Sequence, residues 1–108
     1  MKRGEIFICN LSGDFGKPRP GVIVQSNLFN ATHASVVICP ITSHIINAPL
    51  FRITLNPNTK NGLKNNSQVM IDKVTAIKVE NVKQKIGFIN RAEMDKIDEA
   101  LKLWLDLR

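Results

Sequence analysis

Tyrosine is absent from the 108 residues, tryptophan occurs once, and aromatics make up 6% of the chain. Reading bases by stacking them on a row of rings needs more than that, so aromatic platforms are a poor expectation. Cysteine is scarce too. Cys9 and Cys39 each lie in an apolar, strand-like stretch, where a free thiol behaves as a small buried hydrophobe. Neither they nor the two histidines stand at metal-ligand spacing, and the carboxylates are scattered, so the sequence predicts no metal and no cofactor. No apolar run approaches the roughly 20 residues of a membrane span. Met1-Lys2-Arg3-Gly4-Glu5 leads into a strand pattern without an apolar leader core, which sets the expectation of a cytoplasmic protein. Internal repeats and low-complexity segments are missing as well.

Acidic residues are also few. Nine stand against fifteen lysines and arginines, for a net charge of +6 and a pI near 9.7. Such a field favours a polyanionic partner and speeds its capture. The 44% hydrophobic content is that of a globular chain. At this length one domain is expected, residues 1–108, burying roughly 65% of the surface its unfolded form exposes.

Taken in order, Glu5 to Leu11 predicts a first strand, apolar on both faces. Ser12-Gly13-Asp14-Phe15-Gly16 is a turn, and Val22 to Gln25 a second strand. Ser26 has the position of an N-cap for one helical turn. Ser35 to Ile41 is strongly apolar, with Pro40 expected at a strand end or an edge because it cannot donate to a ladder. Leu50 to Leu55 alternates cleanly, Asn56 to Asn66 is a polar loop rich in turn residues, and Gln68 to Val79 reads as one long, bent strand. Lys83 to Ile89 reads as a short last strand or a turn, with Gly87 inside it. Asn90 and Glu93 form a capping box for a helix whose apolar stripe is Met94, Ile97, Leu101 and Trp104, joined by Ala100, Leu103 and Leu107. Five or six antiparallel strands followed by one helix predict a mainly β fold, a curled sheet or SH3-like barrel.

The stretch Lys17-Pro18-Arg19-Pro20 organises the functional reading. A proline pushes the residue before it into an extended conformation, so Lys17 and Arg19 are presented from a stiffened backbone. The arginine's planar guanidinium matches two phosphate oxygens at once. Thr42, Ser43 and His44 follow the third strand. If the second and third strands are antiparallel neighbours, the start of one lies beside the end of the other, and Arg19 shares an edge with Thr42. Asp14 and Phe15 enter at the same edge from the turn. There is no glycine-rich phosphate loop and no serine–histidine–aspartate ordering of known type. Arginine and threonine donors suit a phosphodiester whose charge grows in the transition state. RNA carries its own nucleophile, the 2′-hydroxyl, so a site without a metal has a plausible task.

Four motifs in order resemble the MazF/PemK/Kid toxins of type II toxin–antitoxin pairs. They are Arg3-Gly4-Glu5-Ile6, Lys17-Pro18-Arg19-Pro20, Cys39-Pro40-Ile41-Thr42-Ser43, and Gly62-Leu63 followed by Ser67-Gln68-Val69 ahead of Asp72. The resemblance runs the length of the chain. It implies the MazF/CcdB-like toxin fold and a sequence-selective, metal-independent endoribonuclease that cleaves single-stranded RNA through a 2′,3′-cyclic phosphate. It also implies a homodimer and an acidic antitoxin as partner. The family's catalytic arginine and threonine fall on Arg19 and Thr42. Lys17, Asp14, Phe15, Ser43, His44, Asp72 and Lys73 are the candidate RNA contacts. Two departures stand out: the loop before Arg19 is short and lacks the Glu-Gln pair of many members, leaving Asp14 and Phe15 to serve there. Where one branch places an arginine, this chain has Met70.

A guanidinium keeps its proton to a pKa of about 12 or higher, which makes Arg19 a charge stabiliser rather than a general acid. The base is Asp14, Asp72 or His44, with Asp72 alternatively structural and His44 alternatively a solvated loop residue. Two other functions share the fold. Gyrase-poisoning, CcdB-like toxins act through a C-terminal Trp-Gly-Ile, whereas here Trp104 is followed by Leu105-Asp106-Leu107-Arg108. A basic SH3-like module that only binds RNA is the other.

Overall fold

Strand β1 (Glu5–Asn10) places Ile6 and Cys9 fully in the interior and turns Phe7 toward a second, smaller apolar cluster on the other face. This description rests on a computed structural model and covers residues 1–11 and 17–108. β2 spans Pro18–Ile23 and pairs antiparallel with β1, from Asn10↔Pro18 to Ile6↔Val22. It begins four residues earlier than the apolar pattern suggested. Proline lacks the donor for a ladder on one side, and residues 18–20 pair with β1 alone, so neither proline breaks a bond. Ser26 accepts from the Leu28 N–H and caps the four-residue helix α1 (Asn27–Asn30), as its position foretold.

β3 (Ser35–Thr42) is the hub of the sheet. It pairs with β2 along one side at residues 38–40. On the other side it pairs with β6 (Thr75–Lys78) through residues 35–38, and with β5 (Ser67–Met70) through 41–42. Pro40 therefore sits inside a central strand rather than at its end. It falls between those last two ladders, where no donor is required. β4 (Arg52–Leu55) pairs outside β5, burying Ile53 and Leu55, and β7 (Val82–Phe88) pairs outside β1. The single long strand expected over 68–79 is two strands, separated by a 3₁₀ turn at Ile71–Lys73. Ile71 is pinned by its N–H to the Phe51 carbonyl at 3.0 Å, and this bond turns the chain from β5 to β6.

The order β4-β5-β3-β2-β1-β7 is a curled antiparallel sheet with β6 set against the far half of β3. Its end strands, β4 and β7, do not pair with each other among the described residues. The 56–66 loop spans the gap instead, with the Phe88 N–H donating to the Lys60 carbonyl at 3.0 Å. Gly62 has φ +68, and a Cβ on it would collide with the Ile86 backbone; a Cβ on Gly87 would collide with the Lys60 carbonyl. The loop and β7 thus meet backbone to backbone. Asn61 is fully buried beneath them, its Oδ1 accepting from the Asn58 and Leu63 N–H groups and its Nδ2 donating to the Asn56 carbonyl.

Helix α2 (Arg91–Leu105) carries the expected capping box: Asn90 Oδ1 accepts from the Glu93 N–H and Glu93 Oε1 from the Asn90 N–H. Met94, Ile97 and Ala100 face the core; Leu103 and Leu107 stay exposed, so the buried stripe is narrower than the sequence suggested. Trp104 is half exposed and leans on Phe51, ring centres 5.7 Å apart. Arg3 ties the helix down, pairing with Asp98 while its Nε donates to the Val24 carbonyl at 2.7 Å. No helix among the described residues is long and apolar enough to cross a membrane.

Candidate active site

The β2–β3 register sets the site. Its pairs are Gly21↔Pro40, Val22↔Cys39 and Ile23↔Ile38. Running the same register two residues further brings Arg19 opposite Thr42, the juxtaposition expected from topology. Both line a cavity of about 520 Å³, together with Pro40, His44, Met70 and Lys73. Arg19 is exposed between its two prolines, and Lys17 is exposed at the entry to β2. Strand alternation sends Ser43 to the other side, where it lines a second cavity of about 380 Å³. Arg19 borders both cavities.

Thr42 is held by its neighbours. Its Oγ1 accepts from the His44 N–H at 3.1 Å, which leaves the hydroxyl's own proton to donate elsewhere. Across the β3–β5 ladder its Cα partner is Gln68, which is 5% exposed. The Gln68 amide accepts from the Ile46 N–H (3.1 Å) and from Arg52 (3.2 Å), and donates to the Ile46 carbonyl (2.9 Å). Arg52 also donates to the His44 carbonyl at 3.4 Å. Gln68 and Arg52 therefore fix the segment that carries Ser43 and His44. Neither was singled out as a site residue from sequence. The available signal was weak, a polar side chain at the head of the apolar run Val69-Met70-Ile71, and its place directly across from Thr42 comes only from the ladder.

Lys73 reaches the first cavity from the 3₁₀ turn. Asp72, beside it, does not line that cavity; it is half buried, with Oδ1 enclosed and without a hydrogen-bond partner among the described residues. Asp14 and Phe15 lie outside the described residues. Met70, where one branch carries an arginine, closes the cavity with an apolar wall. Burial pushes the Cys9 thiol up to about 11, and the Cys39 thiol, buried and near the Asp72 charge, up to about 12 against the opposing pull of Arg3. Both stay protonated near neutral pH and are poor nucleophiles. Among the described residues no three histidine, cysteine, aspartate or glutamate side chains gather as metal ligands. The polar groups at the cavity are the Arg19 and Lys73 cations, the Thr42 and Thr75 hydroxyls and the His44 imidazole, a set suited to hold and stabilise an anion.

Residues 2–105 match the model of the PemK-like, MazF-like toxins of type II toxin–antitoxin systems. The chain belongs to this family. It is similar to a probable endoribonuclease MazF of Mycolicibacterium smegmatis, 38% identical, with 99% of this chain and 98% of that one covered. It is also 32% identical to the endoribonuclease MazF9 of Mycobacterium tuberculosis, over 99% of this chain and 98% of the relative. Among solved structures, a mycobacterial endoribonuclease in complex with its cognate antitoxin superposes with a TM-score of 0.85 at 25% identity, covering all of this chain and 97% of the other. The mainly β fold with its C-terminal helix is thus the fold of this toxin family. Within that frame, the cavity bordered by Arg19 and Thr42 lies where the Lys17-Pro18-Arg19-Pro20 and Cys39-Pro40-Ile41-Thr42-Ser43 stretches meet.

Proposed function

We propose that this chain is a cytoplasmic, sequence-selective endoribonuclease toxin that cleaves single-stranded RNA without a metal, the phosphodiester lying in the cavity between Arg19 and Thr42. Membership of the MazF-like family supports the reaction class. The observation that carries the site is that Arg19, Thr42 and His44 line one cavity, with Lys73 at its side.

In this reading the RNA 2′-oxygen attacks the adjacent phosphorus and gives up its proton to a base. The P–O5′ bond breaks, O5′ takes up a proton, and the products are a 2′,3′-cyclic phosphate and a 5′-hydroxyl. Arg19 holds two non-bridging oxygens with its fork, and its stabilisation grows as charge builds on the phosphorane. Thr42 donates a second hydrogen bond to the same oxygens. Of the two candidate bases among the described residues, His44 borders the cavity and Asp72 does not. Lys17 and Lys73 hold flanking phosphates.

The active species is a homodimer. The exposed Leu103, Leu105 and Leu107 give an apolar surface that one chain does not cover. An acidic antitoxin, lying over the basic edge that carries Lys17, Arg19 and Lys73, competes with RNA. The test is incubation of purified protein with long RNAs in EDTA, with the new ends mapped. The expected result is cutting, with cyclic phosphate at one end and a free 5′-hydroxyl at the other. Intact RNA across many sequences would overturn the enzymatic reading. Activity lost in EDTA and restored by magnesium would overturn the metal-free one.

A further inference from the structure

The second cavity, about 380 Å³ on the far side of Arg19, has no role in the chemistry just described. Its walls are apolar: Pro18 and Pro20 from β2, Ile41 from β3, Ile86 from β7 and Leu63 from the 56–66 loop. Its polar rim is Ser43, Lys64 and Asn65. Because Arg19 borders both cavities, a phosphate gripped by Arg19 has one neighbouring nucleotide within reach of this one.

The outer wall is built to hold its position. Asn61 is fully buried and bonded to the backbone of Asn56, Asn58 and Leu63. Gly62 presses its backbone on Ile86, and Gly87 presses on Lys60. Ser67 is 5% exposed and donates from Oγ to the Asn65 carbonyl at 2.9 Å. The backbone of residues 61–65 is therefore fixed, while the Asn65 side-chain amide has no hydrogen-bond partner among the described residues. An exposed amide with one donor edge and one acceptor edge, on a rigid wall beside an apolar slot, is the arrangement that reads a splayed-out base.

We propose that this cavity is a nucleobase subsite, taking the base next to the scissile phosphate, with the apolar walls enclosing its faces and Asn65 reading its edge. Lys64 steadies the phosphate of the same nucleotide. The proposal rests on the RNA-cleaving reading above and supplies one component of its sequence selectivity. It also accounts for a rigid loop spanning the sheet seam so close to the site.

The test uses the full-length protein and its Asn65→Ala and Asn65→Asp variants on two random-sequence pools. One is RNA, with cut sites mapped by sequencing. The other is 2′-fluoro RNA, which lacks the attacking hydroxyl and reports binding alone. Asn65→Ala should flatten the base preference at one position adjacent to the cut by roughly tenfold or more. Preferences at other positions should keep their order. Asn65→Asp, which only accepts, should shift the preference toward bases that offer an amino group. If the parent cuts nothing, the enzymatic reading fails, yet the 2′-fluoro pool still decides the subsite by whether one position's enrichment depends on Asn65. Unchanged base profiles in all three proteins would overturn the proposal. So would a loss of affinity for an acidic antitoxin peptide without any change in base preference, which assigns the cavity to the antitoxin instead.

Discussion

Gln68 spends its whole amide on a segment it does not belong to, bonding Ile46 in both directions and sharing Arg52 with the His44 carbonyl. If that scaffold orients Thr42 and His44, Gln68→Ala should slow single-turnover cleavage by about tenfold, since small misplacements of catalytic groups are expensive. RNA affinity should stay within about twofold to threefold of the parent, and Gln68→Glu, which keeps the acceptor, should recover part of the rate. An equal loss of rate and affinity would make Gln68 a stability residue only. Lys17 is a different case. It is a point charge on a flexible stem, so Lys17→Ala should weaken RNA binding modestly and lower the salt dependence by about one counterion. The thiols give a pH prediction whose sign follows from burial. Cys9 and Cys39 ionise more readily in the unfolded chain than in the fold, where they are held at about 11 and about 12. Stability should therefore be unaffected below about pH 8.5, and each thiol should remove up to about 1.4 kcal/mol per pH unit as pH rises from there. Denaturant melts of a Cys39→Ala variant should show a shallower alkaline decline than the parent.

At the scale of elements, the 56–66 loop closes the seam that strand pairing leaves open. Asn61→Ala would leave the buried Leu63 N–H and the part-buried Asn58 N–H and Asn56 carbonyl without their partner. It should cost about 2–4 kcal/mol by urea titration, more than the same change at exposed Asn66, which should be near neutral. Gly87→Ala should cost about 1–3 kcal/mol, because its Cβ collides with a carbonyl that has no room to move. The elements that were legible in the sequence are those with a local signature: the alternation of β4, the apolar run of β3, and the capping box at Asn90 and Glu93. The first half of β2 was legible only as extended backbone, because prolines carry no strand signature until β1 is present to pair with one side of them. The break between β5 and β6 was not legible. Ile71, Asp72 and Lys73 sit between two strand-like stretches, and the bend there goes with a long-range bond from the Ile71 N–H to the Phe51 carbonyl. The site followed the same rule. Arg19 and Thr42 could be brought together from strand order alone, while Gln68 and Asn65 needed the register of β5 and the wall of the loop.

For the whole molecule, the +6 charge and the leucine-lined end of α2 make two predictions. Light scattering at micromolar concentration should give twice the 12.1 kDa of one chain, and a monomer mass would contradict the dimer. An acidic antitoxin at saturating concentration should abolish RNA cleavage; cutting at full rate in its presence would show that the two ligands use separate surfaces. The central claim is that charge stabilisation by Arg19, across from Thr42, drives phosphodiester cleavage. It is tested most directly by single-turnover rates and RNA binding constants for the parent, Arg19→Ala and Arg19→Lys. The account predicts that Arg19→Ala lowers the cleavage step by about a hundredfold or more while affinity falls far less. Arg19→Lys should recover little, since it keeps the charge and loses the fork. Cleavage by Arg19→Lys at nearly the parental rate, or a loss confined to affinity in Arg19→Ala, would contradict it and place the catalytic centre elsewhere.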